Sequence, residues 1–355
     1  MKRMNALIYE GKHTIVCQEV DVPEIGDEEA LIQVIYAGIC GSDLSIVDGK
    51  HPRAKPGLIM GHEFSGTLVD IRSQTRKDLH IGDLVVAEPL ISCGSCFACL
   101  SGVAYVCQSL GLYGIDRPGA FADYVKVPAR SVFVIPENIS PRLAVLVEPM
   151  AVAVHAARLS SLRIGDSVCV LGGGPIGLLT ALVAQQAGAR TVLMSEIQPF
   201  RMSLAREFGI DVLNPTQIDL QQAVFNRTKG RGVDIVFEAA GSEQTVLIAP
   251  KLCRVQGEVI MIAMPKVLRS FDIVAYTFKE ITMKGVRVYA PFDFERAIHL
   301  IAECPHDLTK LLSGFYLLSQ GTQAFEEAKN AKESMRVVFN IKEQKRVAHH
   351  EETLS

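Results

Sequence analysis

Four cysteines crowd into fifteen residues: Cys93, Cys96, Cys99 and Cys107, separated by two, two and seven residues. Such short spacings let thiolates close around one ion at about 2.3 Å, and four thiolates leave no open position. The expected role is a structural zinc that holds a lobe (residues 90–110) with little core of its own. The competing reading, four free cysteines in a loop, would expose reactive thiols, whereas free cysteines usually prefer burial. A second stretch carries different chemistry. Residues 168–196 read as strand, glycine turn, helix and strand, with Gly172-Gly173-Gly174-Pro175-Ile176-Gly177 at the turn. Gly172 permits the tight turn, Gly174 removes a side chain from the path of a pyrophosphate, and Gly177 lets helix and sheet pack closely. The free N–H groups of the helix after Pro175 and Ile176 would face the phosphates. Glu196 stands 24 residues after Gly172, where a carboxylate takes two ribose hydroxyls and repels a 2′-phosphate. This predicts NAD over NADP, with Arg201 as the one neighbour that could be read as a phosphate ligand.

A third group is dispersed. Cys40, His62, Glu63 and Glu148 are each of a metal-ligand type beside a glycine turn or in an apolar frame. A cysteine and a histidine from different loops plus a carboxylate match a catalytic zinc that keeps a position for water or substrate. Single residues of these types are usually structural or surface groups, so the residues alone leave both readings open. Glu148 sits in the apolar stretch 143–157, where a carboxylate is costly unless paired or bound to metal.

The elements that must position these groups alternate in style along the chain. Residues 6–9, 15–20, 30–37, 66–71, 84–86, 121–127 and 131–135 have strand character between glycine turns, which suggests a barrel-like β domain. From 168 on, strands at 168–171, 191–195, 211–213, 233–238, 257–262 and 281–288 alternate with helical stretches, the pattern of a doubly wound parallel sheet. Helices are expected at 294–301 and 323–331, a last strand at 335–340, and a frayed charged end at 342–355. At 355 residues the chain is too long for one core and comfortable for two domains. A net charge of −3 and a pI near 6.3 give no basic surface for nucleic acid. The apolar run 176–187 is too short to span a bilayer, and MKRMNALIYE leads into strand residues without a charged-plus-apolar leader, so a cytoplasmic protein is expected.

Four landmarks in order, GICGSD at 38–43, GHEFSG at 61–66, the Cys93/96/99/107 lobe and GGGPIG at 172–177 after VEP at 147–149, make the chain resemble the zinc-containing medium-chain dehydrogenases. That family includes alcohol, sorbitol, threonine and butanediol dehydrogenases, and the likeness spans residues 3–341. It implies an α/β two-domain fold: a GroES-like β-rich catalytic domain from both chain ends (1–150 and 291–355) around a Rossmann NAD-binding domain (151–290). It further implies two zincs per chain, a small-molecule substrate and a homo-oligomer, dimer or tetramer, paired through an edge strand, here 281–288. By the resemblance, Cys40 and His62 match catalytic-zinc ligands, joined by one or both of Glu63 and Glu148. Ser42 matches the hydroxyl that receives the substrate proton, and Asp43 supports from behind.

Three departures from the family pattern stand out. Ser45 replaces the histidine that relatives carry as the outer proton step, leaving Ser45, water, the nicotinamide ribose or His51 to serve. Arg287 lies one place early relative to the Arg-Tyr pair of sorbitol enzymes, with Tyr289 beyond it, so sorbitol itself is disfavoured. Pro265 stands in a segment lacking the glycine often found beside the nicotinamide. The polar groups around Cys40 predict a secondary alcohol bearing further oxygens, such as a sugar alcohol, sugar acid or cyclitol. A vicinal diol of butanediol type and threonine are the alternatives, as is a polyol phosphate read by Lys50, Arg53 and Lys55.

Overall fold

The computed structural model describes residues 2–265, 267–330 and 333–343; the expected frayed end lies outside them from residue 344 on. Contacts divide the chain into two units, Met1–Glu148 with Ala297–Ser355, and Pro149–Arg296. The second crossing therefore falls six residues later than the predicted 290/291 boundary. The reason is Asp293, fully buried in the helix Pro291–Ala302, which binds His155 Nδ1 and Arg158 Nε at 2.6 Å each.

The first unit is organised on the strand Glu29–Gly38, whose alternating buried positions seat Ile32 and Val34 in the core. It pairs antiparallel with Glu63–Arg72, Tyr124–Pro128 and Arg336–Asn340. The last of these comes from the far end of the chain, so the sheet closes only when that end has returned. Gly38 faces Glu63 on one side and Val338 on the other. The predicted strand at 121–127 starts later, at Tyr124, because Phe121 turns inward to meet the Phe339 ring edge-on at 4.9 Å.

The second unit is a six-stranded parallel sheet in the order Asp211–Leu213, Thr191–Ser195, Ser167–Leu171, Val233–Glu238, Cys253–Met261, Thr282–Gly285. Its central strands are buried almost continuously, as a parallel sheet covered on both faces requires. The order reverses between Ser167–Leu171 and Val233–Glu238, and ligands of such sheets bind outside the carboxyl ends of the strands at that point.

Three local expectations need correction. The strand expected at 281–288 is confined to Thr282–Gly285, because its partner Cys253–Met261 ends opposite Gly285, and beyond it Val288 adopts φ +46°, outside the strand region. Arg287 is thus exposed on a loop rather than on a strand face, and Tyr289 is buried beside Phe294. The helical stretch at 143–157 is two helices, Pro141–Ala144, capped by Ser140, and Val147–Leu159. A helix at Ile273–Lys279, capped by Asp272, was not expected. Thr282–Gly285 does lie at an edge of the sheet.

Candidate active site and metal centres

Cys40 precedes the short helix Gly41–Val47 in extended conformation, and Asp43 Oδ2 accepts its N–H at 2.9 Å, satisfying one free donor of the helix start. His62 follows Gly61, whose φ of +93° suits glycine and whose face is so close to Phe121 that a Cβ would lie 2.4 Å from the ring. Glu63 then opens its strand opposite Gly38. The ligand atoms of Cys40, His62 and Glu63 all lie within 4.8 Å of one another.

Behind this group the charges are arranged in pairs. Asp43, fully buried, sets Oδ1 3.7 Å from His62 Nδ1, and among the described residues neither atom has a hydrogen-bond partner. The other imidazole nitrogen, Nε2, is 3.4 Å from Ser42 Oγ. Burial pushes the Asp43 carboxyl up to about 6, against the pull of His62 and the Cys40 amide. Burial alone would strip His62 of its proton, but Asp43, Cys40 and Glu63 outweigh it and hold the imidazole well above its ordinary range. A cation entering here displaces that proton, so binding is pH-dependent.

Glu63 has a partner that motif reading missed. Arg336 Nη2 binds Glu63 Oε2, both side chains being buried. Burial disfavours the guanidinium, yet Glu63 outweighs it, with Cys40 and Glu148 adding to the pull, so Arg336 stays charged. A Cβ on Gly38 would lie 2.8 Å from Glu63 Oε2 and 3.3 Å from Arg336 Nε. That glycine was the available signal: it marks a place where two large polar side chains cross the backbone. Glu148 is half-buried in the first turn of Val147–Leu159 and acts on Arg336 through its charge. It does not join the 4.8 Å group, so the structure brings together three of the four expected ligands.

The four-cysteine lobe is complete by itself. Its sulfurs stand 3.5 Å (Cys96–Cys99), 3.8 Å (Cys96–Cys107) and 3.9 Å (Cys93–Cys99) apart. A tetrahedron with metal–sulfur bonds of about 2.3 Å has edges of about 3.8 Å. All four are free thiols, and backbone amides aim at them: Cys93 N–H at Cys107 Sγ and Cys96 N–H at Cys93 Sγ. Donation from the Ser95 amide and hydroxyl and the Cys96 amide lowers Cys93 to about 5, favouring the thiolate that a metal needs. The lobe has little core, with Phe97 and Leu100 about 80% exposed. Both groups fit zinc by donor type and spacing: the lobe with four sulfurs, the other with sulfur, nitrogen and oxygen around an open side.

In the second unit, Gly172 takes φ +101° and Gly174 caps the helix Pro175–Gln186. A Cβ on Gly177 would fall 1.8 Å from the Gly172 carbonyl oxygen, which explains why that position is glycine. Glu196, nearly buried, accepts the Gly173 N–H at 2.7 Å and those of Ile197 and Gln198 at 2.7 and 2.8 Å. Its carboxylate braces the turn before any ribose arrives. A cavity of about 740 Å³ at the switch point is lined by Gly172, Gly174, Glu196, Arg201, Ala239 and Ser242, among others. The glycine turn, helix N-terminus and buried acid fit a dinucleotide.

Fold and site together define a zinc-type, nucleotide-dependent oxidoreductase. Residues 26–137 match the alcohol dehydrogenase GroES-like domain and residues 175–303 the zinc-binding dehydrogenase family. The chain is similar to a 2-dehydro-3-deoxy-L-galactonate 5-dehydrogenase of Pseudoalteromonas atlantica, 36% identical over 85% of this chain and 88% of the relative. It is also similar to an L-threonine 3-dehydrogenase of Pyrococcus furiosus, 37% identical over 76% of this chain and 78% of that one. Among solved structures, a zinc-binding dehydrogenase of Sinorhizobium meliloti bound to NADP superposes with a TM-score of 0.87 at 31% identity, covering 96% of this chain and all of that one. The chain belongs to the zinc-containing medium-chain dehydrogenase family.

Proposed function

We propose that the chain oxidises a hydroxyl-rich secondary alcohol (a sugar alcohol, sugar acid or cyclitol) to its ketone with NAD. The observation that carries this reading is the Cys40–His62–Glu63 group, with His62 and Glu63 buried, and the Ser42 hydroxyl 3.4 Å from His62. Zinc held there would supply Lewis acidity toward the substrate hydroxyl, and NAD held at the glycine turn would supply the hydride acceptor. The chain's own residues do the rest. Cys40, His62 and Glu63 would hold the catalytic ion, with Glu148 as the alternative carboxylate; Cys93, Cys96, Cys99 and Cys107 would hold the structural one. Asp43 orients His62 from behind. Ser42 takes the substrate proton and passes it outward.

NAD rather than NADP rests on Glu196, whose charge would meet a 2′-phosphate; the NADP-bound relative makes this a point to measure rather than to carry over. The galactonate-type relative supports an oxygen-rich substrate, and the threonine relative supports threonine as the second reading. A polyol phosphate is the third reading: Lys50 pairs with Asp48 and Arg53 with the Leu110 carbonyl and Asp116, and a D-arabitol-phosphate dehydrogenase of Enterococcus avium is 32% identical over 89% of this chain. We further place the protein in the cytoplasm as a homo-oligomer joined through the edge strand Thr282–Gly285. The test is NADH formation over polyols, aldonic acids, inositols, butanediols and threonine, with a parallel NADP series. Turnover on an oxygen-rich alcohol with NAD preferred is expected; preference for threonine, or for NADP, overturns the corresponding part.

A further inference from the structure

We propose that His51 is a substrate-positioning residue that presents a neutral Nε2–H to a hydroxyl oxygen of the substrate. The proposal rests on the dehydrogenase reading above. The helix Gly41–Val47 begins beside Cys40 and carries Ser42 and Ser45, three residues apart and so neighbours on one face. Ser42 reaches His62. After the helix the chain folds back on its own last turn: the Lys50 and His51 amides both donate to the Ser45 carbonyl, at 2.9 and 3.2 Å. His51 is thereby fixed beside the helix that bears the reacting hydroxyl, with its side chain half-buried.

The ring's chemistry is set by the next turn. Nδ1 accepts the Arg53 N–H at 3.4 Å, so the neutral imidazole carries its proton on Nε2. Nε2–H makes no hydrogen bond among the described residues and stays open to solvent or to a ligand. The charged groups facing the ring are Arg53, Asp116 and His62. Burial and then Arg53 and His62 hold the imidazole below its ordinary range against Asp116, so the ring is neutral near pH 7. A neutral donor reads a hydroxyl, and the cations beside it are already engaged by Asp48, Leu110 and Asp116. The same tautomer argues against a proton relay, because the nitrogen that would take a proton is the one Arg53 occupies.

The test compares His51→Ala and His51→Gln with the parent enzyme on its best substrate, alongside imidazole NMR of the zinc-loaded protein. A lost hydrogen bond to substrate predicts a KM raised about tenfold in His51→Ala with kcat nearly unchanged, and recovery of most of it in His51→Gln, which restores a neutral N–H. NMR should show a neutral Nε2–H ring at pH 7. A ring protonated at pH 7 overturns the proposal whether or not a substrate is known. So does a loss confined to kcat that added imidazole rescues, which would make His51 the relay, and so does an unchanged KM. Absence of turnover in the parent enzyme instead strikes the dehydrogenase reading.

Discussion

Two groups of residues in one unit could hold the same ion by opposite means. The Cys93–Cys107 lobe draws four donors from fifteen consecutive residues and closes on itself with sulfurs 3.5–3.9 Å apart. The Cys40 group draws one donor each from a helix start, a loop and a strand start, and depends on Arg336 from the far end of the chain. A closed set serves structure, while an incomplete set braced from behind serves chemistry. The lobe tolerates exposure because its ligands replace a core. The Cys40 group is open on one side and backed by Phe121, Gly61 and Asp43, so that the buried charges of His62 and Glu63 act in a low dielectric.

The sharpest way to break this contrast is to remove one ligand from each. Cys40→Ser is expected to cost roughly 10⁴-fold in kcat/KM, since Lewis acidity is worth several kcal/mol at the reacting oxygen. The fold should survive, and metal analysis should show one of the two expected zincs gone. Cys93→Ser should instead lower the unfolding midpoint and leave the Cys40 ion in place. If Cys93→Ser abolishes both zincs, or if Cys40→Ser retains near-normal turnover, the division of labour is wrong.

A smaller effect sharpens the contrast from behind. Arg336→Met leaves the Glu63 carboxylate buried without its partner, and breaking one side of a buried pair costs about 3–5 kcal/mol. Urea unfolding of the metal-free protein should show that loss. Glu63→Gln with Arg336→Met should recover part of it, because no uncompensated charge is left. A loss below about 1 kcal/mol would mean that solvent reaches Glu63 and that Arg336 is not its brace.

These differences also explain what could be read along the chain. The lobe and the glycine turn are local, so spacing alone disclosed them, and the parallel sheet was legible in the alternation of strand and helix, whereas the order of its strands came only with the structure. Arg336 was invisible because it lies 273 residues from Glu63 and carries no motif. The shortened edge strand was missed because 281–288 is apolar enough for a strand, and nothing in that stretch announces the φ of +46° at Val288. Of the two carboxylates left open by type and by family likeness, Glu63 joins Cys40 and His62 in the 4.8 Å group, while Glu148 is seen only through its charge on Arg336.

Ser45 gives the smallest effect and the cleanest discrimination. It stands where relatives place a relay histidine, and sequence left it free to hand on protons. The structure spends it: Ser45 Oγ donates to the Gly41 carbonyl at 3.2 Å, one turn back along its own helix. A hydroxyl held that way is satisfied locally and adds little to a helix that would form without it. Ser45→Ala is therefore expected to leave kcat and its pH profile within about twofold of the parent, with stability within about 0.5 kcal/mol. A tenfold fall in kcat, largest at low pH where proton release is hardest, would return Ser45 to the relay. Since Ser45 and Ser42 share one helix face, the comparison with Ser42→Ala is direct: the hydroxyl 3.4 Å from His62 should matter, and the one bonded to its own backbone should not.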